Sequence, residues 1–274
     1  MLLYIINLYL YIMKIYSYSL QGKRDSNEDN HFTFINNNNS LENYNPINLF
    51  CVFDGHGGKL VSTFLKSYLP SFFLQKSEKP FYEKSKHIIK HINNIFDFLQ
   101  NNLKMKHPRA VEYCGSTACV VMQIKNKLWI ANTGDSRCII CNRNGVVKQI
   151  TEDHKPDLPR EKERIEQLGG KIKFDGYEWR IKNLSLSRAF GDLDCQPYVI
   201  HNPDIYSYTI HDDDKFLIIG CDGLWEQLTN ENIIDFIKDL QFKNFKGNYA
   251  KELATYALNS GSNDNISVII YLFN

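Results

Sequence analysis

One short stretch constrains the fold most: an apolar run that ends abruptly in a polar, glycine-rich turn. Leu49–Phe53 is unbroken apolar sequence with β-forming residues, which is typical of a strand buried on both faces. Asp54, Gly55, His56 and two more glycines follow at once. Because glycine lets a ligand approach the main chain closely, the pattern predicts a strand that delivers Asp54 and His56 to an open turn. A simpler alternative is an ordinary polar turn, since Asp and Gly are frequent in turns.

Two further aspartates lie at the ends of apolar runs. Asp222 follows the largely apolar segment Lys215–Gly220, and Asp264 stands just before Ile266–Phe273. If the last strand runs antiparallel to the other two, its beginning lies beside their ends. Asp54, Asp222 and Asp264 are then expected to meet at one edge of a sheet.

Other acidic residues can join this group. Asp135 lies in a predicted hairpin turn, and Glu28 and Asp29 lie in the first polar loop. So many neighbouring carboxylates repel one another unless cations lie among them. Oxygen ligands suit Mg²⁺ or Mn²⁺ better than structural zinc, so the sequence predicts a divalent-cation site. The alternative is a set of separate, solvated turns.

The N-terminus is unusual because residues 1–13 are almost wholly apolar. The segment is too short for a comfortable membrane span and lacks the basic region of a signal peptide. Leu2 stands where N-myristoylation requires glycine. Three interpretations stay open: an extra strand, a weak membrane anchor, or a true start at Met13.

Charge and cysteine usage narrow the class of protein. The formal net charge of +1 favours neither nucleic acid nor an anionic membrane as a partner. Cys138 and Cys141 have metal-like spacing, but in a strand they point to opposite faces. The seven cysteines are therefore predicted to be free thiols in a reducing compartment. We expect a cytoplasmic or nuclear protein, with a weak N-terminal anchor as the alternative.

Hydrophobic periodicity predicts a single domain from about Ile15 onward. The predicted strands, besides the run before Asp54, are Ile15–Leu20, His31–Ile35, Ala118–Ile124, Lys127–Asn132, Arg137–Cys141, Val146–Ile150, Lys215–Gly220 and Ile266–Phe273. The predicted helices are one from Leu60 that Pro70 ends, one with a stripe from Ile88 to Leu103, one after Pro159, one capped by Thr229 or Asn230, and one from Ala250 to Leu258. A polar insert at 36–40 is predicted to be a hairpin tip.

Eight motifs in order carry a family resemblance. They are Gly22-Lys23-Arg24 with Glu28-Asp29, Val52 to Gly58, Gly115 to Ala118, Asn132 to Arg137, Asp153 to Pro156, Leu186 to Asp192, Cys221 to Trp225, and Asp264-Asn265-Ile266. This series resembles the PP2C (PPM) family of metal-dependent protein serine/threonine phosphatases. Three features depart from it: Cys114 stands where a small residue is usual, the segment before Gly115 looks short, and residues 1–13 have no family counterpart.

The resemblance implies an α+β fold, a four-layer α-β-β-α sandwich of two antiparallel sheets flanked by helices. The catalytic domain would span residues 15–274, after a hydrophobic extension, residues 1–14, of unclear role. The resemblance also implies two Mg²⁺ or Mn²⁺ ions at one end of the sandwich. Asp54 would bridge them, Asp222 and Asp264 would hold the first, and Glu28 with the carbonyl of Gly55 would hold the second.

The same resemblance assigns the remaining site residues. Asp29 would orient a metal-bound water, and Asp135 with Asp222 would hold a third, weaker ion. Arg24 would bind the substrate phosphate, for which its planar guanidinium is suited; the alternative is a surface ion pair within its loop. His56 would protonate the leaving oxygen, or instead pack against the glycine turn for structural reasons.

The implied activity is hydrolysis of phosphoserine and phosphothreonine in proteins. A hydroxide bridging the two ions would attack phosphorus directly, without a phospho-enzyme. Residues Tyr177–Ile181 would belong to a flap that shapes substrate choice. The expected partners are phosphoproteins, with no nucleic acid and no membrane, and the chain is expected to be a monomer. Two alternatives remain: a pseudophosphatase that binds phosphoproteins without turnover, and a hydrolase of small phosphate esters.

Overall fold

The computed structural model describes residues 15–36, 47–74 and 84–273. The interpretations offered for residues 1–14, and most of the predicted hairpin tip, lie outside these ranges.

All nine predicted strands are present with bounds within two residues of the prediction, and six further strands among the described residues, the longest at Asp204–Thr209, were not predicted. In chain order they are β1 (Ile15–Leu20), β2 (Asn30–Phe34), β3 (Ile47–Phe53), β4 (Gly55–His56), β5 (Gly115–Ser116), β6 (Ala118–Ile124), β7 (Lys127–Thr133), β8 (Arg137–Asn142), β9 (Val147–Gln149), β10 (Lys173–Phe174), β11 (Trp179–Arg180), β12 (Phe190–Gly191), β13 (Asp204–Thr209), β14 (Asp214–Gly220) and β15 (Ile266–Leu272).

The helices bury the apolar stripes seen in the sequence. They are α1 (Leu60–Phe73), α2 (Ser85–Lys106), α3 (Pro159–Gln167), α4 (Asp222–Trp225), α5 (Asn230–Phe242) and α6 (Tyr249–Asn259). Of the two predicted caps, Thr229 is the N-cap of α5. Its side chain accepts a hydrogen bond from the backbone N–H of Asn232. The prediction that Pro70 ends α1 is wrong, because the helix continues to Phe73. Pro70 cannot donate to the carbonyl of Lys66, but three more helical residues follow it.

Two antiparallel five-stranded sheets form the middle of the molecule. The first has the order β1-β15-β14-β8-β9, and the second has the order β13-β7-β6-β3-β2. Phe50 and Val52 on β3 face the apolar layer between the sheets, whereas Cys51 and Phe53 face α1 and α2. β3 is buried along its whole length, as the unbroken apolar run predicted.

The helices cover the outer faces of both sheets. Residues of α1 and α2 pack on the second sheet, and residues of α5 and α6 pack on the first. The order is therefore helices, sheet, sheet, helices, which confirms the predicted α+β sandwich. Cys138 faces the inter-sheet layer and Cys141 faces the α5/α6 layer, so the two thiols lie on opposite faces. All seven cysteines are buried and free.

A small third sheet lies at the end of the sandwich where the glycine turn begins. Its order is β12-β5-β4, so Gly115 pairs with His56 on one side and with Gly191 on the other. Three motifs that are distant in sequence therefore meet at one place. Among the described residues, no helix is both long enough and apolar enough to cross a membrane.

Candidate metal and phosphate site

A cavity of about 380 Å³ opens at this end of the sandwich. Its walls include eight residues that the sequence singled out: Arg24, Glu28, Asp54, Gly55, His56, Asp135, Asp222 and Asp264. Asp222 and Asp264 meet because β14 ends beside the beginning of the antiparallel β15. Asp54 reaches the same cavity from β3 of the other sheet, so the three aspartates do not share one sheet edge as the sequence predicted. Asp29 is the exception among the predicted residues. Its side chain is buried. One of its carboxylate oxygens lies within 4.8 Å of a carboxylate oxygen of Asp54 and of Sγ of Cys221.

Thr117 fixes the backbone that carries Asp54. The Thr117 hydroxyl accepts from the backbone N–H of Asp54 at 3.1 Å, and the Thr117 N–H donates to the Asp54 carbonyl at 2.9 Å. Thr117 is itself 1% exposed. Thr117 therefore holds both backbone groups of Asp54, one through its hydroxyl and one through its own N–H, which limits how far this carboxylate can shift.

The same threonine links Asp54 to the turn of Asp135. The hydroxyls of Thr117 and Ser136 lie 2.7 Å apart. On the other side of the turn, Nδ1 of His154 accepts from the N–H of Gly134 at 3.0 Å. That hydrogen bond ties the loop of His154 to this edge.

Asn265 holds the first polar loop against the start of β15. Its Oδ1 accepts from the N–H of Glu28 at 2.9 Å. Its Nδ2 donates to the carbonyls of Gln21 at 2.8 Å and Ser26 at 2.9 Å. This one amide satisfies three backbone groups more than 230 residues away in sequence and thereby places Glu28 at the cavity.

Close main-chain packing accounts for the first glycine of the turn, and a hydrogen bond holds the last one. A Cβ on Gly55 would overlap the carbonyl oxygen of Glu28, so this position requires glycine. The N–H of Gly58 donates to Oε2 of Glu28 at 3.0 Å. The glycine turn and the acidic loop are thus locked together, with Glu28 between them.

The electrostatics of the cavity oppose ionisation of its carboxyl groups. Burial and the neighbouring charges of Asp222 and Asp29 raise the pKa of Asp54 well above its usual range. Burial and the charge of Asp135 do the same to the pKa of Asp222. Burial raises the pKa of Asp29 to about 6. Positive charge placed beside these groups would favour their ionised forms.

Unpartnered oxygen atoms indicate which kind of cation fits. In the part of the chain described here, both carboxylate oxygens of Asp29 and Oδ1 of Asp135 are buried without a hydrogen-bond partner. Buried polar atoms normally have partners, so these atoms suit coordination or a bound water. Cys221 lies near Asp29, but burial raises the pKa of its thiol far above neutrality. The available donors are therefore oxygens, which fits Mg²⁺ or Mn²⁺.

Two side-chain cations of the chain already contact this acidic group. Arg24 donates through Nη2 to Oδ2 of Asp264 at 2.5 Å. Lys155 donates to Oδ2 of Asp135 at 2.6 Å and has Glu178 and Glu226 at 3.8 and 3.9 Å. The alternative considered for Arg24, an ion pair within its own loop, is not found, and its ion-pair partner is Asp264.

His56 projects from β4 and is held at one edge of its ring. Its Nε2 lies 2.7 Å from Oδ2 of Asp192. Burial opposes the charged imidazolium, but the hydrogen bond and charge of Asp192 outweigh it and raise the pKa of His56. The ring is 25% exposed and lines the cavity, so it can exchange a proton with a bound molecule.

The hairpin β10–β11 borders the cavity. The predicted flap, Tyr177–Ile181, includes its second strand, and Arg180 from this strand lines the wall. Arg180 is paired with Asp175 and with Glu178. Glu178 also lies 3.8 Å from Lys155. Because Lys155 pairs with Asp135, ion pairs link this hairpin to the acidic residues of the cavity.

Sequence reasoning missed four residues that organise the site: Thr117, Lys155, Asp192 and Asn265. Each belongs to a motif that was recognised, but none received a role. Their partners lie between 20 and 244 residues away in sequence. No local pattern contains that information.

Comparison with known proteins shows which of them the chain resembles. The family model described as Protein phosphatase 2C matches residues 13–266. Probable protein phosphatase 2C 45 of Oryza sativa subsp. japonica is 36% identical over 258 residues, which cover 93% of this chain and 86% of the relative. Protein phosphatase 1L of Bos taurus is 33% identical over 270 residues, which cover 93% of this chain and 71% of the relative.

The fold has a close counterpart among solved structures. A serine-threonine phosphatase 2C from Toxoplasma gondii superimposes with a TM-score of 0.79 at 21% identity, covering 96% of this chain and 95% of the other. At that identity the likeness concerns the fold alone.

Proposed function

Because the chain belongs to the protein phosphatase 2C family, we propose that it hydrolyses phosphoserine and phosphothreonine in proteins with the help of divalent cations. The observation that carries this proposal is the cluster of buried carboxyl groups with raised pKa values and unpartnered oxygens. Such a cluster has little stability without cations and no evident structural purpose.

The proposed ligand set follows the geometry of the cavity wall. Asp54 would serve two Mg²⁺ or Mn²⁺ ions, Asp222 and Asp264 the first, and Glu28 with the carbonyl of Gly55 the second. The support is that all five residues line one cavity. Bound cations would supply positive charge to the phosphate oxygens and make water acidic enough to act as the nucleophile.

Other residues of the chain would bind the phosphate, the attacking water and a third cation. Arg24 would bind the phosphate through its planar guanidinium, in exchange for its exposed pair with Asp264. Asp29 would accept a hydrogen bond from the attacking water, since its buried carboxylate lies within 4.8 Å of the carboxylate of Asp54. Asp135 and Asp222 would hold a third, weaker cation.

His56 would give a proton to the leaving oxygen. A seryl or threonyl alkoxide is a poor leaving group, and a positioned acid is worth about 10²–10⁴-fold in rate. The support is that the ring lines the cavity and carries a raised pKa. The expected substrates are phosphorylated proteins, and the domain is proposed to comprise residues 15–274.

The test uses the full chain, stripped of metal in chelator-treated buffer. Phosphate release from phosphoserine and phosphothreonine peptides should be absent, and should return on addition of Mn²⁺ or Mg²⁺. Asp54→Asn should abolish turnover, whereas Asp157→Asn, on the exposed surface outside the cavity, should match the unchanged chain. Peptide binding without phosphate release would support a pseudophosphatase, and full activity after metal removal would refute the proposed mechanism.

A further inference from the structure

The contact between His56 and Asp192 joins two motifs 136 residues apart. The Asp192 side chain is 2% exposed, and its Oδ2 lies 2.7 Å from Nε2 of the imidazole. Asp192 does not line the cavity, whereas His56 does. The carboxylate therefore contacts the ring from outside the cavity wall.

A buried clamp holds Asp192 in an unusual backbone conformation. Asp192 has φ of 46°, in the left-handed region. Gln100, on α2 and 1% exposed, accepts from the N–H of Gly191 at 3.0 Å and donates to its carbonyl at 3.3 Å. The Asp192 N–H donates to the carbonyl of Cys114 at 3.2 Å. A left-handed, non-glycine residue costs free energy, so this conformation persists because its surroundings fix it.

The strand between the two residues is shaped to let them meet. Gly115 on β5 pairs with His56 on one side and with Gly191 on the other. A Cβ at Gly115 would overlap both Oδ2 of Asp192 and Nε2 of His56. Any residue larger than glycine would therefore separate the imidazole from the carboxylate.

We propose that Asp192 is a positioning residue for the proton donor: it accepts from Nε2–H of His56 and so directs Nδ1 toward the leaving oxygen. Among the described residues, Nδ1 has no hydrogen-bond partner. This inference rests on the proposed role of His56 as the acid.

The physical need for such a residue comes from the imidazole itself. The χ2 torsion of histidine is broad and roughly two-fold, so an unsupported ring can turn its wrong edge to the substrate. Which nitrogen carries the proton is set by the hydrogen bond that the other nitrogen makes. Misplacement of a reacting group by about 1 Å can cost on the order of 10²-fold in rate.

The competing explanation is that the pair only ties β4 to β12. A double-mutant cycle on two substrates separates these roles. The proteins are the unchanged chain, Asp192→Asn, His56→Gln and the double variant. The substrates are a phosphoserine peptide, which expels an alkoxide, and nitrophenyl phosphate, which expels a stable phenoxide and needs a proton much less.

We expect Asp192→Asn to lower kcat on the peptide by about 10- to 100-fold and to have a clearly smaller effect on the aryl ester. His56→Gln should lose about 10²–10⁴-fold on the peptide, and the double variant should lose no more than His56→Gln alone. Mn²⁺ affinity by calorimetry should match the unchanged chain in all three variants. Losses that multiply in the double variant, or that are equal on both substrates, would overturn the inference.

A measurement on the unchanged chain keeps the inference testable if Asp192→Asn does not fold. Long-range ¹⁵N–¹H spectra of His56 should show a proton on Nε2; an Nε2 without one would overturn the inference. If His56→Gln shows no dependence on the leaving group, the inference and the acid role fail together. Metal-dependent phosphate release by the unchanged chain would still support the proposed phosphatase function, so the two failures are distinguishable.

Discussion

Nη2 of Arg24 donates to Oδ2 of Asp264 at 2.5 Å, across 240 residues of sequence. The contact joins a residue proposed to bind phosphate with a residue proposed to bind a cation. The two side chains are 59% and 30% exposed, and exposed ion pairs contribute little to stability. Arg24 can therefore exchange Asp264 for a phosphate at little cost.

Substitution of Arg24 should weaken substrate binding selectively. We expect Arg24→Ala to raise KM for a phosphoserine peptide by about 10-fold or more, since a hydrogen bond to a charged group is worth about 1.5–3 kcal/mol. Arg24→Lys should recover only part of this loss, because an ammonium cannot bind two phosphate oxygens in a plane. Steady-state kinetics at saturating Mn²⁺ measure both. Arg143→Ala, at an exposed arginine, is the control, and an unchanged KM in Arg24→Ala would contradict the assignment.

The stability of the metal-free chain should fall as pH rises. Burial raises the pKa of Asp29 to about 6, above the value of about 3.9 in an unfolded chain. The folded state then binds the proton more tightly, so the free energy of unfolding decreases from about pH 4 upward, until the pH exceeds the raised pKa. Asp54 and Asp222 act in the same direction.

Asp29→Asn tests this linkage without metal. In metal-stripped buffer at pH 7.5 the variant should be more stable than the unchanged chain by about 1–3 kcal/mol, since one pKa unit corresponds to about 1.4 kcal/mol. At pH 4.5 the difference should shrink, and Mg²⁺ should stabilise the unchanged chain more at the higher pH. Urea unfolding at both pH values provides the measurement. If the difference in the free energy of unfolding did not change with pH, ionisation of Asp29 would not destabilise the folded chain.

The sequence predicted the parts of the structure that depend on local pattern. Asp54 and Asp222 each follow an apolar run, so their places at strand ends and the metal hypothesis could be inferred from neighbouring residues alone. Antiparallel pairing of β15 with β14 places Asp264 beside Asp222, as expected. The expectation that Asp54 shares the same sheet edge is wrong, because β3 belongs to the other sheet. The two-sided burial of β3 was likewise visible as an unbroken apolar run.

The remaining parts depend on contacts between distant residues. Asp192 meets His56 only because β5 lies between β4 and β12, and no periodicity encodes that order of strands. Lys155 follows a histidine in a loop, and its place beside Asp135 depends on how that loop packs. Pro70 was misjudged for a local reason, because proline is tolerated where little of the helix remains.

The ammonium of Lys155 should neutralise the Asp135 carboxylate in the metal-free chain. Asp135 is 1% exposed and Lys155 is its hydrogen-bonded ion-pair partner. Removing one partner of a buried pair leaves an uncompensated charge and typically costs about 3–5 kcal/mol. We therefore expect Lys155→Met to destabilise the metal-free chain by roughly 2–4 kcal/mol, the lower range reflecting a lysine that is only partly buried.

The accompanying metal effect distinguishes this from a general loss of packing. Mn²⁺ should raise the melting temperature of Lys155→Met more than that of the unchanged chain, because a cation can replace the lost ammonium. Lys243→Met is the control, since Lys243 pairs with the exposed Asp239 and should cost under about 1 kcal/mol. If Mn²⁺ raised the melting temperature of Lys155→Met and of the unchanged chain by the same amount, a cation would not replace the lost ammonium, and the prediction would be contradicted.

Removal of residues 1–12 should leave the domain intact. β1 begins at Ile15 and pairs along its whole length with β15, so a chain that begins at Met13 keeps this strand. Its melting temperature and its Mn²⁺-dependent kcat/KM should match those of the full chain. A chain that begins at Gln21 lacks β1 and should unfold at a lower temperature. Aggregation or inactivity of the Met13 chain would show that the first twelve residues belong to the fold.

The proposed cations can be measured directly, without any substrate, by calorimetric titration of Mn²⁺ into the metal-stripped chain. Because Asp54 is proposed to serve both ions, we expect saturable binding of at least two ions by the unchanged chain and by Asp157→Asn, and loss of most of that binding in Asp54→Asn. No saturable binding by the unchanged chain, or identical binding curves for Asp54→Asn and the unchanged chain, would contradict a metal centre built on Asp54.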